Sequence, residues 1–316
     1  MLIRSAKCSY RTWILDSSRW DRYRSRDGDI VIGTYPKSGT TWLQQIVSLL
    51  IFQSTEPRPI QQDSPWIDRR FPETLESLVD RLEAQTHRRF LKSHLPIDGL
   101  PLYDEVRYIH VARSGLDAFM SFHNHCTAYT SEMLANLDRA GVDDPAIARP
   151  YPHIDPDPAA FFRSWISEGV VPGQDDGRPG LSYFAFERSW WEVRQRPNLL
   201  FVHYNDLKTD LAGEMRRIAD FLGITVPSDL WPEMVEAASF EAMRRHGDLL
   251  LGGLARMFQG GAARFLFKAT NERWRDVLSE DDLARYQAKV ETMLSPACAQ
   301  WLAHGGALAG DPRLAA

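Results

Sequence analysis

Residues 34–42 (TYPKSGTTW) bring a lysine, a glycine and several hydroxyl side chains into one short stretch. It lies between an apolar run and a run of good helix formers, where free backbone N–H groups and the helix dipole attract an anion. Gly39 allows close approach to the backbone, and Lys37 adds a point charge. Hydroxyl donors come from Ser38, Thr40 and Thr41. This is phosphate-loop chemistry, but the lysine precedes the glycine, unlike in a Walker A motif. An ordinary strand–helix turn is the alternative.

Two more pairs of polar residues have spacings that suit proton transfer or anion binding. Lys92 and His94 stand two residues apart at the end of a predicted strand, so their side chains point to the same side. A neutral histidine there is suited to act as a general base. Arg113 and Ser121 follow another predicted strand, and an arginine with a hydroxyl can clamp a phosphate. Taken alone, the first pair is equally well explained by a structural histidine, and the second pair by an exposed arginine.

These residues follow segments that predict an α/β fold. The predicted strands are 29–34, 88–91, 106–111 and 199–203, and the predicted helices are 42–52, 117–125 and 211–222. This alternation predicts a P-loop-like central parallel β-sheet flanked by helices on both faces, with ligands at the carboxyl ends of the strands. Residues 249–267 contain two glycine pairs and predict a mobile lid loop within a single domain of residues 1–316.

Composition excludes several other classes of protein. With 316 residues, 44% hydrophobic and 25% charged, the chain is neither disordered nor a disulfide scaffold. The formal net charge of −5 argues against nucleic acid as a partner. The three cysteines are far apart, so we expect no disulfide framework and no metal site. No segment has the length and hydropathy of a signal peptide or a spanning helix, so we expect a cytoplasmic protein without a membrane partner.

Residues 34–42 resemble the 5′-phosphosulfate-binding loop of the cytosolic sulfotransferases, which use 3′-phosphoadenosine 5′-phosphosulfate (PAPS). Residues 91–96 (LKSHLP) resemble the family's segment with the catalytic histidine, and residues 111–121 (VARSGLDAFMS) resemble its 3′-phosphate motif. Residues 201–208 (FVHYNDLK) and 239–243 (SFEAM) resemble segments on the adenine side. Because all five motifs occur in the family's order, the chain is identified as a bacterial-like member of this PAPS-dependent family.

The resemblance implies transfer of a sulfuryl group from PAPS to a hydroxyl or amine, with His94 as the general base. It implies that Lys37 neutralises the bridging oxygen of the leaving nucleotide, that Lys92 contacts the sulfuryl oxygens, and that no metal is needed. The implied nucleotide contacts are Lys37, Ser38, Gly39, Thr40 and Thr41 at the 5′-phosphate, Trp42, Tyr204, Ser239 and Phe240 near the adenine, and Arg113, Ser121 and Lys268 at the 3′-phosphate.

Residues 267–274 (FKATNERW) depart from the family's Arg-Lys-Gly-x-x-Gly-x-Trp pattern. Lys268 and the terminal tryptophan match, but Phe267 replaces the arginine that meets the 3′-phosphate in the family, and both glycines are replaced. We expect Arg264 or Arg256 on the nearby segment to supply the missing charge. Only six of the 37 basic residues are lysines, and Lys37, Lys92 and Lys268 fall on motif positions, which favours an active enzyme.

Two alternatives remain open: a non-catalytic relative that binds nucleotide, and a P-loop kinase that uses Mg-ATP. The expected acceptor is a small, apolar or aromatic alcohol, phenol or amine, because the candidate walls of its pocket are aromatic. These candidates are Trp66, Phe119, Phe122, Tyr151, Phe161, Phe162, Phe258 and Phe265. Residues 275–280 only loosely resemble the family's dimerisation motif, so the resemblance allows a homodimer without requiring one.

Overall fold

The computed structural model describes residues 1–315, and residue 316, the last of the predicted domain, lies outside the described residues. The strands are β1 (Leu2–Arg4), β2 (Ile30–Gly33), β3 (Phe90–Ser93), β4 (Leu102–Tyr103), β5 (Arg107–Ala112) and β6 (Leu199–His203). The α-helices are α1 (Thr40–Phe52), α2 (Ile60–Asp63), α3 (Leu75–Ala84), α4 (Gly115–Cys126), α5 (Ser131–Val142), α6 (Pro158–Ser167), α7 (Tyr183–Trp191), α8 (Tyr204–Thr209), α9 (Leu211–Leu222), α10 (Trp231–Ala237), α11 (Phe240–Arg245), α12 (Gly247–Leu251), α13 (Gly261–Phe265), α14 (Glu280–Met293), α15 (Pro296–His304) and α16 (Gly306–Ala309). Short 3-10 helices cover Ser17–Arg22, Ile97–Gly99, Gly252–Met257 and Pro312–Leu314.

Four parallel strands in the order β3-β2-β5-β6 form the central sheet. Gly33, the last residue of β2, pairs with Ser93 on one side and His110 on the other. On the far side of β5, Ala112 pairs with His203 at the end of β6. Because the strands are parallel and nearly in register, the residues that follow all four strands meet at one edge. This sheet confirms the predicted fold class.

Helices cover both faces of the sheet. Successive side chains of each strand point to opposite faces, and they enter two separate apolar clusters. On one face, Ile30 and Ile32 of β2 pack with residues of α1 and α9, including Leu43 and Ile218. On the other face, Val31 joins a larger cluster rich in aromatic rings from α6 and α7. The strands are therefore buried on both sides, which explains their nearly continuous apolar sequences.

Contacts between α7 and the sheet hold the ends of β2 and β3 in place. The ring of Trp190 stacks on His110 with centroids 4.8 Å apart, and its Nε1 donates to the carbonyl of Leu95 at 3.3 Å. The same indole fills the space beside Gly33, where a Cβ would lie 2.1 Å from it. Glu187 Oε2 lies 2.8 Å from His110 Nε2 within the same layer. Glycine at position 33 is therefore required by the close approach of Trp190.

Most predicted elements are confirmed, some with shifted boundaries. Strand β6 and helix α9 match their predicted ranges, and Gly223 ends α9 with a left-handed φ of 64°. Helix α1 begins at Thr40 rather than at residue 42, so the hydroxyls of the loop belong to the first turn. Strand β3 extends to Ser93, which places Lys92 inside the strand. The three cysteines are free thiols, as expected.

The prediction of a loop over residues 249–267 is wrong. This segment contains the end of α12, the 3-10 helix Gly252–Met257 and helix α13. Leu250, Leu251, Ala255, Ala262 and Leu266 pack with Ile60 and Met243 in a small buried cluster, and that apolar contact stabilises short helices despite the glycines. None of the helices in residues 1–315 is both long and apolar enough to cross a membrane.

Candidate active site

The loop between β2 and α1 forms the floor of a cavity at the carboxyl edge of the sheet. Its backbone turns through two left-handed residues, Lys37 with φ 72° and Gly39 with φ 116°. A Cβ at Gly39 would lie 3.1 Å from the ring of Tyr204, so both φ and the close approach favour glycine here. The first intrahelical bond runs from Leu43 N to Gly39 O. The earlier amides of α1 therefore have no intrahelical acceptor and suit an anion.

Lys37 projects into this cavity, and no carboxylate of residues 1–315 forms a salt bridge with it. Its Nζ lies 3.4 Å from His125 Nδ1 and 4.1 Å from the ring centroid of Phe265. Burial, together with the positive charges of Arg113 and Arg273, lowers the pKa of Lys37 to about 8. Because an ammonium group in apolar surroundings is poorly solvated, a bound anion stabilises its charged form.

Lys92 and His94 lie at the end of β3, and both contact Trp66. The Nζ of Lys92 is 4.3 Å from the Trp66 ring centroid, and the His94 ring centroid is 4.8 Å from it. Burial lowers the pKa of Lys92 to about 7, and the nearby Arg69 acts in the same direction. Asp68 fixes this arrangement, since it accepts from the backbone N–H of His94 at 3.1 Å and from Trp66 Nε1 at 2.7 Å.

The tautomer of His94 follows from its hydrogen bond to the loop. Its Nδ1 lies 2.7 Å from the carbonyl oxygen of Thr34, and a carbonyl oxygen only accepts. Nδ1 therefore carries the proton, and Nε2 has a free lone pair. Burial, followed by the charge of Lys92, lowers the pKa of His94 well below its usual value. The imidazole is consequently neutral at pH 7, as a general base must be.

Arg113 approaches the same loop from the end of β5. Its Nη1 donates to Lys37 O at 3.4 Å, its Nη2 donates to Asn271 Oδ1 at 2.7 Å, and its guanidinium lies 4.1 Å above the Tyr204 ring. Its Nε is buried and finds no hydrogen-bond acceptor within residues 1–315. A buried N–H group without an acceptor is suited to bind an oxyanion of a ligand.

One cavity joins most of the predicted site residues. Those that line it are Lys37, Gly39, Thr40, Thr41, Trp42, Lys92, His94, Arg113, Ser121, Tyr204, Phe240 and Lys268. Ser38 and Ser239 do not line it: the Ser38 side chain is fully buried, and the Ser239 hydroxyl caps α11 by accepting from Ala242 N at 3.1 Å. Among the candidate walls, Trp66, Phe122, Tyr151, Phe258 and Phe265 line the cavity. Phe119, Phe161 and Phe162 pack in the core instead.

Sequence reasoning missed Arg273, which lines the cavity where Arg264 and Arg256 do not. Burial lowers the pKa of Arg273, and the charge of Arg113 contributes in the same direction, so the two guanidiniums lie near each other. The Nε of Arg273, like that of Arg113, is buried and has no acceptor in the described part of the chain. Its position directly before Trp274, a matched residue of the C-terminal pattern, was the signal that could have identified it.

Residues 267–274 are held against the Arg113 side of the cavity by polar contacts. The backbone N–H of Glu272 donates to Asp117 Oδ1 at 2.6 Å, and Asn271 Nδ2 donates to Asn205 Oδ1 at 2.7 Å. Lys208 Nζ donates to the carbonyl of Ala269 at 3.1 Å. The altered segment therefore still closes over the site, and it brings Arg273 to the cavity together with Phe267.

All the Lys, Arg, Asp or Glu residues that line the cavity within residues 1–315 are positively charged. Its charged lining residues are Lys37, Arg69, Lys92, Arg113, Lys268 and Arg273, and the lining within residues 1–315 contains neither Asp nor Glu. In the same described range, no group of three or more His, Cys, Asp or Glu side chains is placed to hold a metal ion. This cavity suits a ligand with several negative charges.

Comparison with known proteins decides the family. The chain matches the family described as "Sulfotransferase domain" over residues 27–301. The chain belongs to the sulfotransferase family. This sulfotransferase is 32% identical to a glycolipid sulfotransferase of Mycobacterium bovis over 96% of both chains. It is 29% identical to Sulfotransferase 1B1 of Mus musculus over 73% of this chain and 71% of that protein.

Solved structures share its fold. Retinol dehydratase in complex with androsterone and the inactive cofactor PAP superposes with a TM-score of 0.65 at 21% identity, covering 88% of this chain and 84% of that chain. Mouse sulfotransferase SULT7A1 complexed with PAP gives a TM-score of 0.61 at 19% identity, covering 89% of each chain. Together with the family match, these findings confirm the predicted family, the α/β fold class and a transferase that uses PAPS as co-substrate.

The lowered lysine pKa values predict how binding of adenosine 3′,5′-bisphosphate, the nucleotide product of PAPS, depends on pH. The pKa is about 8 for Lys37 and about 7 for Lys92, and a bound anion raises both by stabilising the ammonium form. Binding therefore takes up protons once the free lysines have lost them. We expect affinity to fall as pH rises above these values, by up to about tenfold per pH unit for each lysine.

Calorimetry in two buffers of different ionisation enthalpy measures both the affinity and the proton uptake. Lys37→Met should remove part of the pH dependence, whereas the exposed Lys7→Met should leave it unchanged. An affinity that does not vary with pH, without proton uptake, would contradict the desolvation of these lysines.

Proposed function

We propose that this sulfotransferase binds PAPS across the carboxyl edge of its sheet and transfers the sulfuryl group to a hydroxyl or amine of a small, apolar or aromatic acceptor. The observation that carries the proposal is the convergence of Lys37, Lys92 and His94 on one cationic cavity. Two proteins of similar fold were solved with PAP, which supports a nucleotide at this edge. We also propose residues 1–316 as one domain, while the cytoplasmic location and the homodimer stay predictions from the sequence.

The nucleotide would span the cavity from the loop after β2 to the segment 267–274. We assign the 5′-phosphate to the first turn of α1, where Gly39, Thr40 and Thr41 offer amides and hydroxyls. Ser38 stays in this group as a prediction through its backbone, since its side chain does not line the cavity. Trp42, Phe240 and Tyr204 would enclose the adenine, and the Trp42 indole is already fixed by donating to Ala238 O at 2.8 Å. Ser239 would act there only by capping α11.

The 3′-phosphate would lie between two arginines. Arg113 and Arg273 each have a buried Nε without an acceptor among residues 1–315, and both face the cavity. Ser121 and Lys268 line the same cavity. We therefore assign to Arg273 the charge that Phe267 cannot supply. The guanidinium of Arg264 lies 5.2 Å from the Phe267 ring centroid, outside the lining of the cavity.

The reaction would proceed as an in-line displacement at sulfur. The acceptor oxygen forms a bond to sulfur while the bond from sulfur to the bridging oxygen breaks, and the electron pair leaves with adenosine 3′,5′-bisphosphate. His94 Nε2 takes the proton from the acceptor hydroxyl. Lys37 meets the negative charge on the leaving oxygen, and Lys92 meets the sulfuryl oxygens. Because the cavity excludes much of the water, these charges act more strongly than they would at the surface.

The acceptor would occupy the apolar side of the cavity, beyond His94. Trp13, Ile14 and Leu15 of the N-terminal segment line this side together with Tyr151 and Phe258. Such walls suit a phenol, a steroid-like alcohol or a lipidic alcohol. The similar structures hold androsterone and retinol, and the mycobacterial relative is a glycolipid sulfotransferase, so apolar acceptors are found on this fold.

Replacement of His94 tests its role as the base. His94→Ala should lower kcat with PAPS and 2-naphthol or a long-chain alcohol by about 10²- to 10⁴-fold, the usual contribution of a positioned base. Affinity for adenosine 3′,5′-bisphosphate should stay within a few fold. His123→Ala is the matched control, because His123 does not line the cavity and its ring lies instead against Phe161 and Asp155 O. Undiminished turnover in His94→Ala would exclude His94 as the base.

Replacement of Arg273 tests the assignment of the 3′-phosphate. Arg273→Gln should weaken binding of adenosine 3′,5′-bisphosphate by about 10- to 100-fold, the range for a lost hydrogen bond to a charged group. Binding of adenosine 5′-phosphate, which lacks the 3′-phosphate, should hardly change. Arg264→Gln is the control and should leave both affinities intact. Equal losses for the two nucleotides, or a loss confined to Arg264→Gln, would contradict the assignment.

A further inference from the structure

Arg69 is a cation of the cavity that the proposed nucleotide site does not use. It follows Trp66 in the segment before α3, and its backbone bridges to Leu15 of the N-terminal segment. Its guanidinium lies 5.6 Å from the Trp66 ring centroid and 5.9 Å from that of Phe71. It therefore lies among the apolar walls that we assign to the acceptor.

The polar partner of this guanidinium is a weak one. Arg69 Nη2 donates to the thioether of Met257 at 2.9 Å, and a thioether is a poor acceptor. Within residues 1–315, no carboxylate forms a salt bridge with Arg69. The acidic group nearest in sequence after Asp68 is Glu73, which pairs with Arg81 at 2.6 Å instead. Asp68 is held by Trp20, Trp66 and the His94 backbone.

Burial disfavours the positive charge of Arg69, but the charge persists at neutral pH. Burial lowers the pKa of Arg69 to about 10, so the group stays protonated at neutral pH. A guanidinium with five donors and no anionic partner among residues 1–315 is less stable where burial has removed part of its water. The arrangement becomes favourable once an oxyanion reaches it, and a carboxylate matches the planar fork of the guanidinium.

We propose that Arg69 binds a carboxylate of the acceptor, so that the preferred substrates are hydroxy acids with an apolar body between the hydroxyl and the carboxylate. The proposal rests on the proposed function, because it takes the reacting hydroxyl to lie beside His94. The apolar body then contacts Trp66, which neighbours both His94 and Arg69, and Met257, which lies beside the guanidinium. Arg69 thereby determines specificity without touching the reacting atoms.

This placement also links acceptor binding to Lys92. The positive charge of Arg69 is, after burial, the main cause that lowers the pKa of Lys92. A carboxylate on Arg69 offsets that charge and helps Lys92 keep its proton for the sulfuryl oxygens. An acceptor that carries the carboxylate therefore prepares the site for its own sulfation, and an uncharged alcohol of the same shape does not.

The test compares ω-hydroxy fatty acids of increasing chain length with the primary alcohols of the same lengths, using labelled PAPS. At the chain length that fits, kcat/KM for the acid should exceed that for the alcohol by about 10- to 100-fold. Arg69→Met should reduce this ratio to near one, and Arg69→Lys should retain part of it. Arg256→Met is the matched control, since Arg256 is exposed and does not line the cavity, and it should keep the wild-type ratio.

A second measurement separates this proposal from the proposed function. Calorimetry with the protein saturated in adenosine 3′,5′-bisphosphate measures binding of each acid and each alcohol without turnover. Tighter binding of the acids that disappears in Arg69→Met supports the role of Arg69 even if neither class is sulfated. Sulfation of both classes with the same acid-to-alcohol ratio in wild type and Arg69→Met overturns the role of Arg69 alone. Acids and alcohols that bind equally to the wild-type protein overturn it as well.

Discussion

Six cationic side chains share one cavity whose lining, throughout residues 1–315, has no Asp or Glu to offset them. Loss of solvation, followed by repulsion from neighbouring cations, disfavours the charged forms of two of them, so the pKa of Lys37 falls to about 8 and that of Lys92 to about 7. The cationic side chains nevertheless stay together, because contacts elsewhere in the fold hold their segments in place. A ligand with several negative charges relieves the repulsion, so the site is organised for PAPS before PAPS binds.

The parallel sheet is what brings these cations together. Lys37 and Arg113 follow β2 and β5, while Lys92 lies near the end of β3, and the register of the strands aligns these positions at one edge. Packing behind the edge keeps it rigid: Trp190 fills the space beside Gly33, and Tyr183 donates to the carbonyl of Arg113 at 2.8 Å. The hydrogen bond from His94 to Thr34 then joins the proposed base to the loop after β2. The register of the strands therefore places the positive charges and His94 together at one edge of the sheet.

Much of this arrangement could be predicted from the sequence, because the loop motif and the strands are local patterns. Strand β6 and helix α9 have the predicted limits, since clear turn residues or polar residues bound their apolar patterns. The helices at 249–267 could not be predicted in this way, because they are stabilised by tertiary contacts around Leu251 and Leu266 rather than by local preference. The role proposed for Arg273 depends on how residues 267–274 fold back to Asp117, which spacing alone does not reveal. Arg69 belongs to none of the sequence motifs, so only its position in the cavity identifies it as a candidate binding residue.

The most direct test of the account is a single turnover with PAPS labelled in its sulfuryl group, in the presence of a metal chelator. We measure labelled acceptor and released adenosine 3′,5′-bisphosphate together. The account predicts that both form in equal amounts in the wild-type protein, and that transfer is lost when Lys37 and Lys92 are both replaced by methionine. Undiminished transfer in that double variant, or nucleotide release without labelled acceptor in the wild-type protein, would contradict it.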